Sequence, residues 1–89
     1  MIIKWRTKPV VIEALEYTGD NINEIKEFVD AGILVEVSRG VYSIRTFQGN
    51  SMINKGDYII KGYRGEFYPC NPDTFHTKYE RHLVWDENI

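Results

Sequence analysis

Turn signals come so thickly after residue 37 that this part of the chain has room for strands and little else. Ser38-Arg39-Gly40, Gln48-Gly49-Asn50, Lys55-Gly56-Asp57 and Gly62-Tyr63-Arg64-Gly65 follow one another. Each is built from residues that accept tight or left-handed backbone. They leave short runs at Ile33 to Val37, Val41 to Phe47, Tyr58 to Lys61 and Glu66 to Cys70, with Met52 and Ile53 only leading into the third turn. This spacing reads as a meander of hairpins.

The front of the chain reads differently. Lys8-Pro9 opens an apolar run, Val10 to Tyr17, whose β-branched start predicts a strand. Val10, Ile12 and Ala14 share one face and Val11, Leu15 and Tyr17 the other, which predicts a central strand. After Gly19-Asp20-Asn21, the residues Ile22, Ile25, Phe28 and Val29 recur at helical spacing. A helix is expected over residues 21–31, capped by Asp20 or Asn21 and ended at Gly32. Asn71-Pro72-Asp73 is a second helix start, with Asn71 as the cap and Phe75 and Tyr79 on one face. The tail Leu83-Val84-Trp85 would add an edge strand or pack on a neighbour. The expected fold is α+β: one small curved antiparallel sheet of about five or six strands, one packed helix and a short C-terminal helix.

A chain of 89 residues is one domain, residues 1–89. So short a domain buries a small core, which favours a homo-oligomer. The net charge of −2 argues against a double-stranded nucleic acid partner. Cys70 is the only cysteine, so no internal disulfide forms, which fits a reducing compartment. The sequence shows neither an apolar run of membrane-spanning length nor a secretory leader. The expectation is a cytoplasmic protein with no membrane partner.

The stretch Gly56-Asp57-Tyr58-Ile59-Ile60-Lys61-Gly62, then Gly65-Glu66-Phe67-Tyr68-Pro69-Cys70, then Pro72-Asp73 and Phe75, resembles a widespread family of small phage and prophage proteins. The hallmark of that family reads G-D-[YW]-[IV]-[IV]-K-G followed by G-E-[FY]-Y-P-C-x-P-D-x-F. Lys8 to Ala14 and Thr18 to Asn21 also look like the family's start, so the resemblance spans nearly the whole chain. Tyr63-Arg64 stands where valine-lysine is common in relatives. Most members carry no assigned activity. The resemblance therefore implies a setting, the bacterial host cytoplasm, more readily than a chemistry.

Five residues in this stretch are candidates for a ligand site. Lys61 and Arg64 suit a phosphate, Arg64 with a bidentate fork. Tyr63 and Tyr68 offer rings for a base to stack on. Glu66 offers an acceptor for ribose hydroxyls or an amino group. The plainer reading is a hairpin with a solvated charged tip and a Glu66–Lys61 cross-strand pair fixing its register. Cys70 with His76 raises the idea of a thiol nucleophile, and Cys70, His76 and His82 that of a metal site. Neither has the spacing its chemistry needs. No cofactor motif or catalytic set stands out.

Three functions follow as expectations. The first is a phage accessory protein with an anti-defence role that sequesters a small anionic nucleotide-type host signal, such as a cyclic nucleotide, without catalysis. The second is a protein-protein interaction module whose partner is a host protein. The third is a small hydrolase of the same signals.

Overall fold

The computed structural model describes residues 1–6 and 8–81. The expected roles of Leu83, Val84, Trp85 and His82 lie outside those residues. The described chain is α+β, in the order β1 (Glu13–Glu16), α1 (Ile22–Phe28), β2 (Leu34–Ser38), β3 (Val41–Thr46), β4 (Gly49–Met52), β5 (Tyr58–Lys61), β6 (Phe67–Cys70) and α2 (Pro72–Lys78).

The strands form two three-stranded antiparallel sheets, β1-β5-β6 and β2-β3-β4, and not the single curved sheet expected from the hairpin spacing. The reason lies in β5. It pairs with β1 on one side and β6 on the other, so no edge remains for β4. The turn Asn54–Asp57 makes the break. Asp57 Oδ2 accepts the Asn54 N–H at 2.9 Å, and the Gly56 N–H reaches back to Tyr17 O at 2.7 Å.

Four local expectations also change. The first strand begins at Glu13 and, among the described strands, lies at the edge of its sheet and not at the centre. Val10 and Val11 precede it and remain 49% and 65% exposed. The segment Gly49-Asn50-Ser51-Met52, expected as turn and lead-in, is a strand paired with β3 around the Phe47-Gln48 turn. Asn21 stands at the N-cap of α1 but makes no capping bond. Its side chain instead bonds Thr18 N–H, Glu16 O and Glu24, tying the end of β1 to the helix. The helix then stops at Phe28, where Val29 turns extended, before Gly32 is reached.

The main core lies between the first sheet, α1 and the second sheet. It holds Tyr17, Ile25, Val29, Ile44, Ile53, Ile59 and Phe67. Strand alternation sends the neighbours of Ile59 and Phe67 to the far side of the first sheet. There Tyr58, Ile60, Tyr68 and Cys70 share a face, and α2 covers it. Phe75 stacks on Tyr58 at 4.0 Å between centroids, and Tyr79 follows Phe75 at 5.1 Å. Ile60 is fully buried on that face although it lies outside the main core cluster. As expected, Asn71 caps α2, accepting the Thr74 N–H at 2.8 Å.

In β6 the even-numbered residues bond to β5, as the Gly62 N–H to Glu66 O bond at 2.8 Å fixes. Pro69 therefore turns its donor-less nitrogen away from β5, the position where a strand tolerates proline.

Candidate functional site

The hairpin joining β5 to β6 carries the predicted site. Its tip closes through the Gly65 N–H to Gly62 O bond at 2.9 Å. The three residues between Gly62 and Glu66 form the loop, a common hairpin length. Glu66 lies just before β6 and folds its carboxylate back over the loop. Glu66 Oε1 accepts the Arg64 backbone N–H at 3.2 Å. A Cβ at residue 62 would overlap that carboxylate, so the close approach depends on Gly62.

The five predicted residues do not converge as a set. Tyr63, Glu66 and Tyr68 line one groove of about 700 Å³ on the α2 side of the first sheet. Lys61 is on the opposite face, in register with Phe67 and not Glu66, with Nζ 5.9 Å from the Phe67 ring centroid. The expected Glu66–Lys61 register pair is thus replaced by a cation–π contact, and Glu13 is the residue in register with Lys61 on β1. Arg64 is at the exposed tip outside the groove lining. Its Nε donates to Tyr63 Oη at 3.2 Å, with the guanidinium 5.4 Å from the ring centroid. That hydroxyl bond holds the guanidinium above its already high pKa.

The groove gains residues that the sequence did not single out for binding. Lys8 comes from the segment before β1, and Lys78, Tyr79 and Arg81 from the end of α2. Three cations thus meet two carboxylates, Glu66 and Glu80, around the rings of Tyr63, Tyr68 and Tyr79. The Tyr68 and Tyr79 hydroxyls are 3.4 Å apart. Burial, then the contact with Tyr79, pushes the Tyr68 phenol well above its ordinary value. Lys8 and Arg81 are far apart in sequence, so only the tertiary fold brings them together; no local signal marks them.

A second groove, of about 580 Å³, lies between the Phe47-Gln48 turn and β6. Glu66 and Tyr68 border it too, but its lining has no cation.

Among the described residues, which exclude His82, the two sharper ideas about Cys70 find no assembled partner set. His76 packs edge-on against Tyr58 and Phe75, with Nε2 3.5 Å from Tyr58 Oη. Cys70 is a half-buried free thiol opposite Tyr58. Among the described residues no group of three or more His, Cys, Asp or Glu is placed to hold a metal ion. Nor is any described helix long and apolar enough to cross a membrane.

The motif that carries the family resemblance is accounted for by packing at several of its positions. Asp57 closes a turn, Ile59 and Ile60 fill opposite faces, Phe67 enters the core and Phe75 stacks on Tyr58. No protein family, curated protein or solved structure matches the chain.

Proposed function

We propose that the chain is a non-catalytic binding protein that takes a small anionic, ring-bearing ligand of the nucleotide type in the groove beside α2. In this reading it is a phage accessory protein of the host cytoplasm that acts against defence by sequestering the ligand. The phage setting rests on the sequence resemblance alone. The observation that supports binding is the meeting of Lys8, Lys78 and Arg81 with three tyrosine rings in one groove. Its volume falls within the roughly 300–1,000 Å³ usual for small-molecule sites. Lys78 and Arg81 pair with phosphate, Tyr63 offers a face for stacking, and Glu66 accepts from ribose or base. Arg64, held on Tyr63, reaches the ligand from the rim, and Lys61 steadies the hairpin from the other face.

The test is a thermal-shift screen against nucleotides and cyclic nucleotides, with each hit recovered by chromatography. A ligand at 100 times its Kd adds about 2.7 kcal/mol, a rise on the order of 10 °C for a domain this small. Lys78→Ala/Arg81→Ala removes the shift, whereas Lys61→Ala leaves most of it. A hit recovered chemically altered makes the protein a hydrolase. No shift from any nucleotide overturns the reading in favour of a protein-interaction module, for which the exposed Ile2, Ile3 and Trp5 offer a surface.

A further inference from the structure

The free edge of β1 and the segment before it make a pair of complementary features. β1 bonds β5 on one side only, and no described strand lies on the other. The Tyr17 N–H to Asp57 O bond at 2.8 Å fixes the phase: odd residues of β1 face β5. The N–H and C=O of Ala14 therefore point outward, with no partner among the described residues, and can template a further strand. Glu16 O is outward too, but Asn21 Nδ2 already bonds it at 2.8 Å. The open stretch is thus Ala14 and the residues before it.

Those preceding residues are both apolar and basic. Ile2, Trp5 and Val11 are 96%, 87% and 65% exposed. Lys4, Arg6 and Lys8 give residues 1–12 a formal charge of +3 with no acid, which leaves −5 on the rest of a chain whose net charge is −2. On β1 and in the turn after it stand three acids, Glu13, Glu16 and Asp20, all exposed.

We infer that a second copy of this chain pairs antiparallel along β1, with Ala14 near the two-fold axis. This register puts the smallest side chain where the two copies meet and sets no like charges directly opposite each other. Shifting the axis by one residue to Glu13 would bring two carboxylates together. From Ala14 the basic arm of one copy runs past Glu16 and the Gly19-Asp20 turn of the other, so opposite charges meet. The same contact buries Val10 and Val11 and merges two three-stranded sheets into one of six strands. It also holds residues 8–12, which wall the groove beside α2, although the pairing does not depend on that groove binding anything.

Sedimentation equilibrium of the full chain tests the inference. The expected result is a dimer whose dissociation constant rises with salt. Ala14→Lys places two ammonium groups at the axis while leaving the β5 side of β1 untouched, and should weaken the dimer about tenfold or more. Lys4→Glu/Arg6→Glu/Lys8→Glu removes the opposite-charge contact and should do the same, with an unchanged far-ultraviolet spectrum. A monomer at all concentrations overturns the inference, whether the edge is then covered by residues 82–89 or by another protein. So does a dimer indifferent to both variants.

Discussion

The Glu66 carboxylate occupies the space that a side chain on residue 62 would need. Gly62→Ala must therefore swing the carboxylate away and break its bond from Arg64 N–H. The expected cost is about 1 kcal/mol, the worth of one such hydrogen bond. In a Glu66→Ala background the same substitution should cost little. Chemical denaturation of the four proteins of this double-mutant cycle measures the coupling. Equal costs in both backgrounds would show that the loop does not depend on this contact.

Gly56 has φ +96°, and a Cβ there would meet nothing closer than Pro72 Cγ at 3.9 Å, an ordinary contact. Gly56→Ala therefore isolates backbone strain from crowding. It should destabilise by about 1–2 kcal/mol, read as a lower denaturation midpoint with an unchanged slope.

Ser43 is 1% exposed and its hydroxyl has no hydrogen-bond partner among the described residues. An unsatisfied buried polar group costs about 1–3 kcal/mol. Ser43→Ala should consequently leave stability unchanged or raise it by up to about 1 kcal/mol, an unusual sign for a truncation inside a sheet. A large loss of stability would mean that the hydroxyl is satisfied in solution.

Tyr68 makes the protein sensitive to alkali. Its folded-state pKa is raised by burial first and by the contact with Tyr79 second. The unfolded phenol ionises near pH 10, so below that pH both states are neutral and the shift has no effect. Above it the unfolded state loses its proton first, and folding stability falls as pH rises toward the folded-state value. Tyr68→Phe should flatten that decline. Denaturation midpoints between pH 9 and 11 measure the slope.

The sequence was most legible where a residue's local chemistry decides its structure. Asn71-Pro72 starts a helix because one side chain satisfies a free N–H and the next needs none. Gly62 through Gly65 makes a hairpin for reasons contained within the loop. The failures involve long-range choices. Whether β4 pairs with β5 depends on β1, which lies more than thirty residues away in the chain. The same holds for the groove. Tyr63, Glu66 and Tyr68 are close in sequence and come together, while Lys8 and Arg81 arrive from opposite ends of the described chain. Lys61 was misplaced for a simpler reason: one residue of strand phase carries it to the other face.

Pro69 and the neighbouring second sheet give the first sheet an asymmetry that governs how it can grow. One margin, at β6, carries a residue with no hydrogen to donate and lies beside β3 and β4, and the other, at β1, presents Ala14 with no backbone partner among the described residues. A building block that adheres on both sides propagates without limit, as fibrils do. One with a single adhesive side is exhausted as soon as it meets its like.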